Sequence, residues 1–559
     1  MALSEDQDKL YTKYQKRLAS LEQERNSHEV VWRDIRDNFV PYGALFRGER
    51  PNDGIRRDGS IINTSPLMAA RTLPVGMQSG ITSPARPWYR LSTPDPGMKE
   101  FEPIKLWLQD TERRMREVMA RSNFYDKVKS TYSTLGNFGT GVLFMDDDDD
   151  KVISCYDLPI GTWCLASNHT GMIDTMYREI KLTTLQMMAR FKRDDGKIPD
   201  RVQLAYDRGD YAQQFDVCHV IEPNHNYRIG SALPHRKKWA SVWLFQTDSK
   251  DRFLAIRGYD DQPFFAPRWD VNGVNAYGQG CGHLAIGDAK QLQLMEKRKL
   301  QGVDKNVTPP MVADGSLRNQ RTGHIPGSTT YVNGLISGKD GYKPAYQPNP
   351  YLNELREEIM RIEGHIEEAY FKNLFLMVTE IADQPNITAT QINTMREEKL
   401  MMLGPVLERL NGELLDPMID RLFSIMARRG MLPPPPKELQ GSKLRVEYVS
   451  VLAQAQKAQA LGNIERFVGF GGQLAQFDQG VLDKINFDQI IDEYADGSGV
   501  PPNIVRSDED AQKIRQGRQA AQDMAEQMEM GSNAVTAAKT LSETSMTGDN
   551  LLTRVTGNA

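Results

Sequence analysis

The stretch from Asn272 to Gly430 constrains this chain more than any other. Two helical segments there, Leu284 to Lys305 and a second opening near Leu352, flank a Pro/Gly-rich excursion at 306–350. On the second segment Leu352, Leu355, Ile359, Ile362 and Ile366 alternate in steps of three and four, which predicts one apolar stripe on a helix of about 23 residues, roughly 34 Å long. Glu354, Glu357, Glu358, Glu363, Glu367 and Glu368 crowd its remaining faces. A loop, Thr379 to Asn386, leads into the longest helical pattern, Thr388 to Arg429, which Pro405 and Pro417 must kink or divide. A single apolar stripe suits side-by-side packing with a charged face left in water. The pattern implies a chain built for shape: a helical wall, a tip at one end and a loop on the inner side.

At 559 residues the chain is too long for one core, and roughly two to four folding units are expected. Leu10, Tyr14, Leu18, Leu21, Trp32, Ile35 and Phe39 predict a helix over 4–39, with a weak middle where Arg25 and His28 break the stripe. Residues 41–98 are rich in Gly and Pro and read as loop, and 100–135 read as helix. Strand character then runs through 136–270. A hairpin of 141–145 and 152–156 encloses five aspartates, and further strands are expected at Met172–Leu182, Val217–Ile229, Ala240–Gln246, Phe253–Tyr259 and Phe264–Trp269. One helix falls near Leu182–Arg193. Pro433 to Pro436 form a stiff linker, 443–495 are largely helical, 508–530 suit a polar helix, and from Gly531 the composition predicts disorder. The fold class is α+β, rich in helix.

No signal peptide is expected from the acidic start Met1-Ala2-Leu3-Ser4-Glu5-Asp6, and no run of about 18 apolar residues spans a membrane. Cys155, Cys164, Cys218 and Cys281 lack CxxC spacing and are expected to stay reduced in a cytoplasm. Tyr277-Gly-Gln-Gly-Cys-Gly-His283 lacks the glycine spacing of a dinucleotide loop and reads as a turn before a helix. Gly334 to Asp340 is one residue short of a phosphate loop, with Asp340 where a Ser or Thr would hold magnesium. Asp146 to Asp150 read as a solvated hairpin tip, because adjacent carboxylates diverge where a cation loop converges them. Cys218-His219 and Cys281-x-His283 are isolated couples, and zinc wants four ligands. No catalytic, cofactor or metal site is expected.

Charge is more informative. Between Ala289 and Lys343 nine basic residues (Lys290, Lys297, Arg298, Lys299, Lys305, Arg318, Arg321, Lys339, Lys343) face four acidic ones (Glu296, Asp304, Asp314, Asp340), nine minus four giving +5 in a chain of net −5. A basic tip on an acidic body suits a phosphate backbone or an acidic partner. The overall charge argues against tight general DNA binding but allows DNA to pass.

Several motifs then point to one family. Asn386-Ile-Thr-Ala-Thr-Gln391, Arg396-Glu-Glu398, Leu403-Gly-Pro405, Glu408-Arg-Leu410, Glu413-Leu414 and Gly430-Met-Leu-Pro433 occur in order. Upstream lie Gly80-Ile-Thr-Ser-Pro-Ala-Arg-Pro-Trp88, Phe138-Gly-Thr-Gly141, Arg268-Trp269 and Tyr277-Gly278. Over roughly residues 5–450 the chain resembles the head-to-tail connector, or portal, family of short-tailed bacteriophages.

The resemblance implies a ring, typically of about twelve copies, at one capsid vertex of the virion, assembled in a bacterial cytoplasm. It assigns 1–283 to a wing, 284–305 and 351–378 to paired stem helices, and 306–350 to a clip. Residues 379–388 become a tunnel loop, 389–440 the wing's long helix and linker, 441–530 a crown, and 531–559 a disordered tail. Double-stranded DNA passes through during packaging and ejection. The implied partners are the terminase large subunit, a tail adaptor protein, the major capsid and scaffolding proteins, and internal core proteins at the crown, with no membrane. ATP hydrolysis falls to the terminase, so the chain is no enzyme and needs no cofactor. Thr379, Glu380, Asp383, Gln384 and Asn386 are expected to line the tunnel loop. Glu357, Glu363 and Glu367 are expected on the stem's channel face, and Arg318, Arg321, Lys339 and Lys343 at the clip. The rivals are a tail or scaffold protein without a channel and a metal-dependent hydrolase using Asp146–Asp150.

Overall fold

The computed structural model describes residues 2–49, 54–95, 101–192, 197–231, 233–246, 252–309, 311–313, 342–344, 352–373, 404–439, 445–448, 464–474, 485–498 and 508–543. The chain forms two compact units, Met1–Ser450 and Val451–Ala559. Helices and antiparallel sheets give it the α+β class.

In the first unit, helix α1 (Ala2–Phe39) runs unbroken. Arg25, expected to weaken its middle, is buried and donates to the Gly161 carbonyl at 3.1 Å, with Glu179 3.8 Å away. His28 stacks on Trp32 at 5.6 Å between centroids. The polar break in the stripe is thus a contact with the neighbouring sheet. Helix α2 (Ser65–Ile81) occupies part of the segment expected to be loop. Its Pro66 sits in the first turn, where no N–H is needed, and burial of Ala69, Ala70, Leu73 and Met77 offsets the cost of Pro74 inside the helix. Two helices, α3 (Glu102–Arg121) and α4 (Phe124–Phe138), fill the next helical region.

Strand β1 (Tyr89–Ser92) pairs antiparallel with β12 (Arg445–Tyr448). A three-stranded sheet follows in the order β3 (Val152–Asp157), β2 (Leu143–Asp148), β9 (Phe264–Phe265), the last much shorter than the expected Phe264–Trp269. Asp146, Asp147 and Asp148 belong to β2, paired with Ser154, Ile153 and Val152, so the aspartate run is not simply a solvated tip. Arginines hold it: Arg190 is 3.6 Å from Asp146, Arg421 3.3 Å from Asp147 and Arg429 3.7 Å from Asp149.

The larger sheet is an antiparallel meander, β4 (Trp163–Ser167), β5 (Ile173–Thr183), β6 (Gln214–Pro223), β7 (Trp239–Phe245) and β8 (Phe253–Tyr259). Alternation along each strand makes two faces. Cys164, Tyr177, Cys218, Val220 and Leu244 pack on Tyr14, Leu18 and Leu21 of α1. Val217, Trp243, Phe245 and Leu254 pack on Met187 of α5 (Thr184–Met187), on Met188 and Phe191 of the π turn that continues it, and on Val202 and Ala205 of α6 (Asp200–Asp207).

Helix α7 (Cys281–Val307) is followed by the short strands β10 (Met311–Ala313) and β11 (Tyr342–Pro344), which pair antiparallel. Helix α8 (Leu352–Ala369) has 18 residues, fewer than its stripe predicts, because the chain turns at Tyr370 and Phe371 takes a left-handed φ of 54°. Helix α9 spans 404–410 and leads through a π turn, Asn411–Leu415, into α10 (Asp416–Arg428). Pro417 lacks an N–H and crowds the carbonyl four residues back, and the wider π turn lies where that conflict falls.

In the second unit lie α11 (464–474), α12 (Phe487–Ser498) and α13 (Asp508–Glu543). The last continues well past Gly531, where composition alone predicts disorder. Ala534, Ala537 and Ala538 supply helix propensity that a count of core-forming residues overlooks.

Candidate functional site

The chemistry of α7 begins at its root. Gly139 closes α4 in a left-handed conformation, φ 80°, and a Cβ there would sit 2.4 Å from the Gly278 carbonyl oxygen. A Cβ on Gly280 would lie 2.4 Å from the Gly136 carbonyl. The two glycine motifs, 138–141 and 277–283, are therefore the two sides of one seam, pressed backbone to backbone. Bonds fix it: the Trp269 amide donates to the Gly139 carbonyl at 2.8 Å, and the Gly278 amide to Thr140 Oγ1 at 2.8 Å. The motif that superficially suggests a phosphate loop is a helix seat, with the amides of Gly278, Gln279 and Gly280 spent on protein.

Side chains brace the seat. The Leu165 amide donates to the Tyr277 hydroxyl at 3.1 Å, and the Tyr370 hydroxyl, arriving from the end of α8, donates to Asn137 Oδ1 at 2.8 Å. Arg268 is clasped by Glu413 of the π turn. Its amide reaches Glu413 Oε2 at 2.9 Å and its Nε reaches Oε1 at 3.1 Å, while its two terminal nitrogens donate to the Asn275 and Gly171 carbonyls, both at 2.8 Å. Arg409 of α9 donates to the Trp269 carbonyl at 2.7 Å. His283, whose Nδ1 accepts from the Gly280 amide at 3.2 Å, is held to a pKa of about 4 by burial and then by nearby His28. Burial pushes the Cys281 thiol up to about 12, which leaves it unreactive.

A second fastening grips the helix pair further along. Gln293 of α7 accepts from the amides of Ile62 and Asn63 at 2.7 and 2.9 Å and donates to the Asn63 carbonyl at 2.8 Å. Glu363 of α8 accepts from Asn63 Nδ2 and Ser65 Oγ, both at 2.8 Å, at the start of α2, where a carboxylate also meets the helix dipole favourably. Between root and strap, Ile359, Ile362 and Ile366 are buried as the stripe predicts. The most exposed face of α8 carries Glu354, Glu357 and Glu368 together with Arg361, which pairs with Glu358.

Of the acidic trio expected to share one face, Glu357 is exposed, Glu363 is occupied by the strap and Glu367 pairs with Lys372. Lys343 lies on β11. Arg318, Arg321 and Lys339, the tunnel-loop residues Thr379, Glu380, Asp383, Gln384 and Asn386, and the motifs from Asn386 to Leu403 lie outside the described residues. Arg268 and Glu413 were visible as motif residues. Their pairing, and the strap through Asn63 and Gln293, had no local signal.

Among the described residues no three His, Cys, Asp or Glu side chains gather to hold a metal ion, and no helix is long and apolar enough to cross a membrane. The described geometry is a helix pair seated at its root and strapped further along. Residues 11–505 match the family of bacteriophage head to tail connecting proteins. The chain is 44% identical over 545 residues to the portal protein of Salmonella phage epsilon15, covering 97% of both. It is 36% identical over 540 residues to the probable portal protein of Bordetella phage BPP-1, again over 97% of both. A solved chain from the neck of an empty GTA particle computed with C6 symmetry superposes with a TM-score of 0.36 and 9% identity, over 75% of this chain and 90% of that one, a likeness too remote to add weight. The chain belongs to the bacteriophage portal, or head-to-tail connecting, protein family.

Proposed function

We propose that the chain is a ring-forming portal subunit that gives double-stranded DNA its passage through one vertex of a phage capsid, as a structural component of the virion. The observation that carries this reading is the α7–α8 pair, seated at the root and strapped by Asn63, in a chain that matches the connecting proteins over residues 11–505. Copies related by a rotation axis set such pairs side by side around a hole. The exposed line Glu354, Glu357 and Glu368 on α8 then faces DNA, repels phosphates and lets the duplex slide.

In this reading the excursion between the helices, with Arg318, Arg321, Lys339 and Lys343, meets the terminase large subunit during filling and a tail adaptor afterwards. Residues 379–388 face the channel, the first unit meets capsid and scaffolding proteins, and core proteins inside the head meet the second. ATP hydrolysis belongs to the motor, and the subunit itself catalyses nothing. The test is end-on electron microscopy of the purified protein. A ring with a hole wide enough for duplex DNA supports the reading, and a closed or filamentous oligomer overturns it in favour of a tail or scaffold role. Glu357→Lys tests the acidic wall, because that residue is exposed, whereas Glu363→Lys would also break the strap. An unchanged packaging rate in Glu357→Lys overturns the repulsive-wall argument.

A further inference from the structure

A row of side chains crosses the middle of the meander on the face that meets β2. Arg178 of β5 is the cross-strand partner of His219 on β6, and His219 is the partner of Trp243 on β7. Such partners share one face of a sheet. The His219 ring lies flat on Trp243, with centroids 3.9 Å apart, and its edge meets Phe144 of β2 at 6.0 Å. The Arg178 guanidinium carbon sits 5.0 Å from the centre of the Phe144 ring and 5.8 Å from that of Trp243. Arg190, from the π turn after α5, comes within 4.6 Å of the same Trp243 ring. Two cations from different elements thus converge on one indole.

Charge around the row does not balance. Arg190 lies 3.6 Å from Asp146, and Arg421 lies 3.3 Å from Asp147 while its Nε donates to the Met145 carbonyl at 3.0 Å. Arg178 has no ion pair or hydrogen bond among the described residues, and its Nε is buried without a partner. Three arginines minus two aspartates leaves +1 among these groups. Burial, and then repulsion from Arg190, pull the Arg178 guanidinium down to about 10, so it still carries its charge at neutral pH. His219 is 0% exposed. Its Nε2 meets Ser241 Oγ at 2.8 Å, and its Nδ1 has no partner. Burial, and then the charges of Arg178 and Arg190, keep that ring neutral. With the Ser241 hydroxyl donating to Nε2, Nδ1 carries the proton and becomes a donor. Two buried donors on neighbouring strands, one of them cationic, then lack an acceptor. Water would take the hydrogen bonds but leave the charge unbalanced.

We infer that Arg178, His219 and Arg190 bind a small oxyanion of the phosphate or sulfate type where the meander, β2 and the π turn meet. A guanidinium takes two oxygens of such an anion at once, and the remaining oxygens accept from further donors. Arg178 is only partly buried, so the anion reaches it from solvent. Once bound, the anion supplies the missing negative charge and fastens the π turn to the sheet through Arg190. The site is independent of the channel reading and holds whether or not the chain forms a ring.

The test is equilibrium dialysis of the full-length chain against radiolabelled inorganic phosphate in a chloride buffer of fixed ionic strength. Arg178→Met removes the site, and Arg113→Met, at a side chain 65% exposed, controls for general attraction of anions. Wild type and Arg113→Met are expected to take up about one phosphate per chain more than Arg178→Met does. Sulfate should displace it, and Arg178→Met should bind at least tenfold more weakly. Thermal unfolding gives a second reading. Without phosphate, Arg178→Met is expected to unfold at or above the wild-type midpoint, because it deletes an unpaired buried charge. At ten times its Kd, phosphate raises the wild-type folding constant about elevenfold. That moves the midpoint up by roughly 2–3 °C, beyond the general salt effect that Arg178→Met also feels. Arg178→Gln repeats both readings if the methionine variant does not fold. Uptake that is absent, or equal in wild type and Arg178→Met, overturns the inference, as does chloride competing as well as sulfate. A wild type more stable than Arg178→Met without phosphate, and unmoved by it, overturns it too.

Discussion

Removing the Glu413 carboxylate tests whether the helix root is held by charge or merely filled. Arg268 is 5% exposed and Glu413 10%, and the carboxylate receives the Arg268 amide as well as its guanidinium. In Glu413→Ala the guanidinium keeps the Asn275 and Gly171 carbonyls but loses its counter-ion, and the amide loses its acceptor. Breaking one side of a buried pair costs roughly 3–5 kcal/mol. At about 2 °C per kcal/mol that is a fall of roughly 6–10 °C in the unfolding midpoint. Arg268→Met leaves a buried carboxylate and is expected to cost a similar amount. The double variant Arg268→Met/Glu413→Leu buries no unpaired charge. It should recover the charge penalty, short of roughly 1–2 kcal/mol for the orphaned amide and a further loss at the Asn275 and Gly171 carbonyls that Arg268 also held. Urea unfolding followed by fluorescence of the seven tryptophans, Trp269 beside Arg268 among them, measures the loss. A shift below about 1 kcal/mol in Glu413→Ala, or a double variant as unstable as the two single changes added together, refutes the reasoning.

Gly139→Ala places a methyl against the Gly278 carbonyl in a left-handed residue, and a loss of roughly 2–4 kcal/mol is expected in the same urea assay. Glu363→Ala removes two 2.8 Å bonds at the strap and is expected to cost roughly 1–3 kcal/mol, with the 62–65 segment cut faster by protease. Burial raises the Asp157 carboxyl to about 7, with Thr131 Oγ1 donating at 3.3 Å, so between about 4 and 7 the folded chain holds a proton the unfolded chain has released. That residue's contribution is therefore lost as pH rises through 7, and Asp157→Asn should stabilise by roughly 1–3 kcal/mol at pH 8, with a gain that vanishes near pH 4. His283, held near 4, has the opposite sense: its contribution is complete above about 6.5 and lost as pH falls, so His283→Gln should flatten the acid limb of a stability–pH curve.

What could be read from the sequence was periodic or local. The isoleucines of α8 are buried as their spacing predicts, and β5, β7 and β8 fall within a residue of their expected places, while β6 spans Gln214–Pro223 and ends six residues before the expected Ile229. Helix α2 was hidden by Pro66, Pro74 and Gly76, whose cost is offset only by burial against residues distant in sequence. Strand β4 is a short apolar run, Trp163-Cys-Leu-Ala, with no alternation to mark it. The aspartate run looked solvated because its arginines, Arg190, Arg421 and Arg429, lie up to about 280 residues away along the chain. The root could be named but not assembled: Gly139, Gly278, Arg268 and Glu413 stood out as motif residues, while the contacts that join them depend on tertiary structure.

The root also has a consequence in time. Its parts emerge from synthesis in the order Gly139, Arg268, Gly278, Tyr370, Glu413, so the last carboxylate arrives long after the cation it neutralises. Until then Arg268 cannot be buried without cost, and α7 lacks a finished base. Contacts so far apart along the chain form late and slowly. A polypeptide that stops short of Glu413 therefore leaves Arg268 without its counter-ion and the seat of the helix pair weaker.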